Sequence, residues 1–338
     1  MIKEAIQKLI KGEDLSQKEM ALSMEEIMTL KATQLQTAAF LTALHIKGEG
    51  VEEITAAAQV MRKFATKIKV EGTTILDTCG TGGDYQGTFN VSTLTALIAA
   101  ASGIKVAKHG NRSASSHCGS ADLLEGLGVN INLTPPAVEA CLKEIGIGFL
   151  FAPNFHPLMK EVVGVRKELG FRTIFNILGP LSNPAAATHQ ILGVFDKKLV
   201  KPMAEVLGNL GIKHALVVHG RDGLDEITTA AATDICEARN NRIKCFVLDP
   251  AALGIKKARP ADLRCQVSSE NIRIAEEVLS GKLGPQRDIV ILNAAAAIYV
   301  ADKAESIKKA IRIAEGVIDS GRAKEKLEQL KEFSKRGV

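Results

Sequence analysis

The feature that most constrains this chain is a change of texture near Ile68. Before it, apolar residues recur only at helical spacing: Ile2, Ile6, Leu9 and Ile10, then Leu35, Ala38, Ala39 and Thr42. Ser16-Gln17-Lys18-Glu19 has the form of a capping box, and Gly48 with Gly50 can stop a helix. After Ile68, short apolar runs alternate with helical stretches. Residues 74–77, 104–107, 149–151, 190–195, 215–219 and 243–248 read as strands. Residues 93–101, 121–126, 136–145 and 199–210 read as helices, the third opened by Thr134 ahead of two prolines. Such alternation implies a largely parallel sheet with helices on both faces. Asn240-Asn241 reads as a hairpin turn, and the chain is mostly helical again from Ser268. The expectation is an α/β protein: a small all-helical domain, residues 1–67, and a large α/β domain, residues 68–338, with a central mostly parallel sheet flanked by helices. Residues 164–184 are a candidate segment for returning to the helical domain.

Composition removes several function classes. The net charge is +5 over 338 residues, with no basic block and no Trp, which argues against a nucleic-acid surface. None of the six cysteines shows C-x-x-C spacing, so zinc and thioredoxin-like chemistry have no support, and six free thiols in a reducing cytosol are expected. The chain opens without an apolar signal core, and no apolar run is long enough to span a bilayer, so a cytoplasmic protein without a membrane partner is expected.

Three polar loops follow predicted strands. The first is Thr78-Cys79-Gly80-Thr81-Gly82-Gly83-Asp84, continued by Thr88, Asn90, Ser92 and Thr93 at a helix start. Glycines let a backbone approach an anion, and a helix N-terminus offers free N–H donors. No G-K-[ST] follows, and Tyr85 stands where a dinucleotide fingerprint needs glycine, so neither of those motifs is present. The second, Lys108 to Ser116, adds two cations and several hydroxyl and amide groups that suit phosphate, with Ser120 as the expected cap of the following helix. The third holds adjacent Asp225 and Glu226, the kind of pair that binds magnesium together with substrate phosphate and water. His214 and His219 lack the partner spacing of a zinc site. Arg166 and Arg172 are candidates for gripping a carboxylate through paired hydrogen bonds, and 176–184 reads as a rigid Gly/Pro-punctuated loop.

In order and spacing, Gly80-Thr81-Gly82-Gly83-Asp84, Asn90-Val91-Ser92-Thr93, Lys108-His109-Gly110-Asn111-Arg112-Ser113, Arg172-Thr173-Ile174-Phe175-Asn176 with Gly179-Pro180-Leu181, and Asp225-Glu226 resemble the anthranilate phosphoribosyltransferases. The resemblance covers nearly the whole chain; His117-Cys118 falls where the family varies. It implies a homodimer related in fold to the pyrimidine nucleoside phosphorylases, with phosphoribosyl pyrophosphate (PRPP) and anthranilate as substrates and Mg2+ as cofactor. By position, Gly80, Gly83, Asp84, Thr88, Asn90, Val91, Ser92, Thr93, Lys108, His109, Gly110, Asn111, Arg112, Ser113, Ala114, Ser115, Ser116 and Ser120 would contact PRPP. Gly80, Asn111, His156, Arg166 and Pro180 would face anthranilate, and Ser92, Asp225 and Glu226 would hold the metal. Lys108, His109 and Arg166 are the candidate catalytic residues, although a lone histidine such as His109 is more often a packing or hydrogen-bonding residue. Some family members dock a glutamine amidotransferase, the one further protein partner the resemblance brings into view. Two rival readings use the same fold: a nucleoside phosphorylase, which has no need of the acidic pair, and a non-catalytic nucleic-acid binder, which would carry a basic stripe.

Overall fold

The computed structural model describes residues 1–112, 118–265 and 267–336. Four helices come first: α1 (Ile2–Ile10), α2 (Gln17–Met28), α3 (Gln34–Lys47) and α4 (Val51–Phe64). One face of α1 buries Ile2, Ala5 and Leu9. Ser16 and Thr33 form capping boxes with Glu19 and Gln36, caps of a kind worth about 1 kcal/mol each. Glu53 is buried but fully partnered, accepting from Leu15 N at 2.9 Å, Gly50 N at 2.7 Å and Lys47 Nζ at 2.8 Å. That carboxylate ties the α1–α2 connection to the start of α4.

The sheet region contains β1 (Ile75–Gly80), α5 (Val91–Ala101), β2 (Lys105–Gly110), α6 (Ser120–Gly126), α7 (Pro135–Glu144), β3 (Ile147–Phe151), α8 (Ala152–Phe155), α9 (Met159–Leu169), α10 (Phe175–Leu178), β4 (His189–Gly193), α11 (Val200–Asn209), β5 (His214–Gly220), β6 (Thr233–Arg239) and β7 (Arg242–Leu248). Helices α12 (Pro260–Leu263), α13 (Ser268–Leu279), α14 (Pro285–Val300), α15 (Ile307–Asp319) and α16 (Arg322–Lys335) complete the chain. The strands lie in the order β3-β2-β1-β4-β5-β6-β7. The first five are parallel, and β6 and β7 extend the sheet antiparallel. The order reverses between β1 and β4, and the crevice at such a switch point is where open α/β sheets bind ligands.

Alternation along the strands divides the molecule into two cores. Leu76, Ile191, Leu216 and Val218 pack with α5, α7 and α13–α16. Leu192, Val194, Ala215 and Val217 pack on the other face with α11, α1–α4, and Val162, Val165, Phe175, Leu178 and Leu181. Helix α14 is buried almost all round through Ala294–Ala297.

Three local expectations change. Strand β6 is absent from the sequence reading; its Asp234, Glu237 and Arg239 make it look polar, but it pairs along its length with β5. The Asn240-Asn241 turn does join β6 to β7, both residues taking positive φ, at 50° and 59°. That register sets Cys236 directly opposite Cys245, with Cα atoms 4.0 Å apart, and the two are disulfide-bonded. The expectation of six free thiols is therefore corrected: facing positions on antiparallel strands hold side chains close enough to bond. Ser120 is not the cap of α6; Gly119 occupies that position and Ser120 begins the helix.

Candidate active site at the strand ends

Neighbouring residues on β1 and β2 point to opposite faces of the sheet. Thr78 and Lys108 turn toward α5. Thr78 Oγ1 donates to Ser92 O at 2.9 Å, and Lys108 Nζ donates to Thr78 O and to Ser92 Oγ, the latter at 3.3 Å. Asp77 and His109 turn the other way.

On the α5 side, the glycine loop lies against the loop after β5. Gly82 N donates to Asp225 Oδ2 at 3.0 Å. A Cβ on Gly80 would sit 2.4 Å from that carboxylate oxygen, and one on Gly193 would sit 1.6 Å from Asp225 O. Both positions therefore need glycine for the acid loop to approach. Burial, and then the adjacent Asp84 charge, push the Asp225 carboxyl up to about 7. Burial drives Glu226 well above the ordinary carboxylate range; Asp225 adds to this and Lys108 opposes it. Asp84 is raised as well, first by burial, and its Oδ2 is buried without a hydrogen-bond partner among the described residues. Three carboxyl groups thus crowd one place, and Lys108, whose own pKa burial lowers, opposes the charge of Glu226 as well as that of Asp77. Among the described residues no three acid, His or Cys side chains surround a common point as a ready metal cage. Hard oxygen donors of this number suit a cation whose other positions are filled by water and phosphate.

On the opposite side, His109 and His156 face each other with ring centroids 5.1 Å apart. The His109 ring donates to the Gly179 carbonyl, and burial pushes its pKa down to about 3. The His156 ring donates to the Ser182 carbonyl, and burial lowers its pKa to about 4. Both rings are neutral at pH 7, and each keeps an Nε2 that has no partner among the described residues. Arg166 lies over the Phe175 ring at 5.6 Å and has no carboxylate partner among the described residues. Arg172 is already committed: it donates to Gly83 O and stacks 4.0 Å from the Phe195 ring centroid.

Other predicted residues fall as follows. Asn90 precedes α5, accepts from Thr93 Oγ1 at 2.6 Å and donates to Cys118 O at 3.3 Å. Val91 and Thr93 are buried in the first turn of α5, Thr88 bridges to Arg264, and Gly83 lies beneath Arg172. Asn111 follows β2, which Gly110 closes, and its carbonyl accepts from Ser120 Oγ at 3.3 Å. Arg112 is turned away from the phosphate loops, bound to Asp122 and Glu125. Such exposed pairs are worth little, so the guanidinium is easily recruited elsewhere. Ser113, Ala114, Ser115 and Ser116 lie outside the described residues. The sequence reading missed Asp77, which is fully buried beside this site, and Gly193. An isolated Asp or Gly at a strand end carries no local signal.

A helical bundle beside a largely parallel sheet, with glycine-rich and acidic loops at the switch point, is the architecture of the glycosyl transferase family that the chain matches. Residues 3–65 match the helical bundle domain of the glycosyl transferase family and residues 72–324 match its a/b domain. The chain is 53% identical over 334 residues to anthranilate phosphoribosyltransferase of Acetivibrio thermocellus, covering 99% of this chain and 97% of that one. The crystal structure of anthranilate phosphoribosyltransferase from Thermus thermophilus superposes with a TM-score of 0.93 at 43% identity, covering 98% of this chain and 99% of that one. The Saccharomyces cerevisiae enzyme in complex with PRPP and Mg superposes with a TM-score of 0.91 at 30% identity, covering 98% and 97%. This chain belongs to the anthranilate phosphoribosyltransferase family.

Proposed function

We propose that this protein transfers the 5-phosphoribosyl group of PRPP to the amine of anthranilate, giving N-(5-phosphoribosyl)anthranilate and pyrophosphate, in a magnesium-dependent step of tryptophan biosynthesis. The observation that carries this is the packing of Asp225 against the Gly80–Asp84 loop. Crowded carboxyls are stable as anions only when a cation joins them, and the glycine loop leaves room for phosphate beside it. Ser92, Asp225 and Glu226 would hold magnesium; that a Saccharomyces cerevisiae relative is in complex with PRPP and Mg supports the cation itself. The chemistry the cation supplies when bound is neutralisation of charge on the leaving pyrophosphate.

The chain's own groups do the rest. The N-terminus of α5, the glycine loop and the Lys108 ammonium cradle the anionic end of PRPP, and Arg112 with the hydroxyls of the second loop extends that cradle. Departure of pyrophosphate, with the electron pair of the C–O bond, leaves positive charge on the ribose. Arg166 grips the anthranilate carboxylate through two N–H donors and aims the amine at the anomeric carbon. The aromatic amine is neutral at pH 7, so the new C–N bond forms without a base and the surplus proton passes to water. Neutral His109 and His156, with Asn111 and Pro180, line the acceptor path; uncharged rings there leave the amine lone pair free.

Two coarser proposals accompany this one. The reaction is proposed to run in the cytoplasm, since PRPP is too highly charged to cross a membrane unaided. A homodimer is supported by one helical stripe: Leu35, Ala39, Thr42 and Ile46 follow each other along α3, with Leu35 84% and Ile46 79% exposed. Sedimentation at the mass of two chains is expected, and a single-chain mass at micromolar concentration removes the dimer.

The activity test is direct. Mixed with PRPP, Mg2+ and anthranilate, the protein should consume anthranilate fluorescence, and EDTA should stop it. Unchanged fluorescence with no pyrophosphate released would sink the assignment.

A further inference from the structure

The segment from Gly179 to Pro184 is held far more tightly than a connecting loop requires. The Gly179 carbonyl accepts from the His109 ring and from Ser182 Oγ at 2.9 Å. Pro180 O accepts from Gln190 Nε2 at 2.7 Å. Leu181 O accepts from Arg62 Nε, on α4, at 2.7 Å. Ser182 O accepts from the His156 ring, and Pro184 O from Ile68 N at 3.3 Å. The Asn183 side chain donates to Asp77 Oδ2 at 2.8 Å and to Ala107 O at 2.9 Å. Consecutive carbonyls are thus claimed by separate donors from β2, β4, α4 and the 156 region.

Much of this grip comes from side chains that a packed core would replace with apolar residues. Asp77 and Gln190 are register partners on adjacent strands, 0% and 2% exposed. Burying an amide and a carboxylate is unfavourable unless each is bonded, and each of these two gives one bond to the loop, Gln190 Nε2 donating also to Cys79 Sγ at 3.1 Å. Asp77 also accepts from His109 N at 3.2 Å, which ties the second polar loop to the same point. Pro180 is in the middle of the held segment.

We propose that Asp77, Gln190 and Asn183 are positioning residues that hold the 179–184 loop as a rigid wall of the acceptor pocket, and that this wall sets selectivity for the unsubstituted anthranilate ring. The inference rests on the reading of Pro180 as an acceptor-side residue. None of the three touches substrate; they act through the loop. Loosening one bond lets the wall retreat, which weakens the natural acceptor and admits a larger ring.

The test uses full-length Gln190→Met, near-isosteric but unable to donate to Pro180 O, and Asp77→Asn, which sets an amide against the Asn183 amide. For Gln190→Met the KM for anthranilate should rise about tenfold, the loss of one hydrogen bond that leaves a buried carbonyl unpaired. The KM for PRPP should move less than about twofold, a change too small to come from a broken bond. The ratio of kcat/KM for 4-methylanthranilate to that for anthranilate should rise by about tenfold in both variants, as in other pockets that gain room for a methylene. Circular dichroism is recorded first; if Asp77→Asn does not fold, Gln190→Met alone decides. Equal rises in both KM values, or an unchanged acceptor ratio, would overturn the proposal. A wild-type protein that does not consume anthranilate would instead overturn the functional reading beneath it.

Discussion

Residues 77 and 78, and residues 108 and 109, stand one position apart yet belong to environments of opposite character. Thr78 and Lys108 open on the α5 face, where carboxyls crowd and Asp84 keeps an oxygen with no partner among the described residues. Asp77 and His109 open on the other face, where the rings are neutral and the loop carbonyls are bonded. The first side gathers like charges; the second is a neutral wall whose loop carbonyls are already bonded, with only the two ring Nε2 atoms left without a partner among the described residues. A reaction that develops charge on the leaving group but needs only aim from its nucleophile asks for this division.

Removing acids from the first side should have the largest effect. Asp225→Ala with Glu226→Ala is expected to lower kcat by about 10³-fold or more while the fold survives, judged by circular dichroism, because charge stabilisation at the leaving group is lost. Full turnover in that variant would remove the two acids from metal binding. Next, Arg166→Ala should raise the KM for anthranilate by about 10- to 100-fold, as expected for a bidentate charged pair, and leave the KM for PRPP nearly unchanged. Equal shifts in both constants would count against a carboxylate clamp.

The smallest effect concerns pH. His156 titrates near 6.5 when unfolded and at about 4 when folded, because burial excludes its charge. Stability is therefore intact above about pH 6.5 and falls as pH drops toward 4, since only the unfolded chain takes up the proton. At pH 5 this ring alone costs about 2 kcal/mol relative to pH 7.5. His109 is depressed further and acts with the same sign. Urea midpoints at the two pH values should differ less in His156→Gln than in the wild type; identical pH dependence would mean the ring is solvated.

The two halves also differ in how far they can be read from residues alone. The donor loops announce themselves locally: Gly80 to Asp84 and Lys108 to Arg112 are runs whose composition already suggests phosphate. The acceptor half depends on distant partners. Asp77 looks like an ordinary strand-end acid until Asn183 is seen to meet it across 106 residues. Residue type alone offers Arg166 and Arg172 as equal candidates, and only the resemblance prefers Arg166; packing shows that Arg172 is spent on Gly83 and Phe195. Strand β6 and the Cys236–Cys245 bond are hidden for the same reason, because register is a property of two strands rather than one. The alternation after Ile68 needs no partner to be recognised, and the parallel sheet follows from it.

The antiparallel hairpin at the end of that sheet has a consequence for life in a crowded solution. An outermost strand offers unpaired amides to any other chain. This sheet has two, β3 and β7, and β7 presents exposed Arg242 and Lys244 and is stapled to its neighbour by the cystine. A second molecule seeking to add a strand would meet repelling charges and a register that cannot slide. The strands whose ends carry the site, β5, β4, β1 and β2, lie between this hairpin and β3, so on the hairpin's side they are kept from other chains by a border that itself carries none of the site's residues.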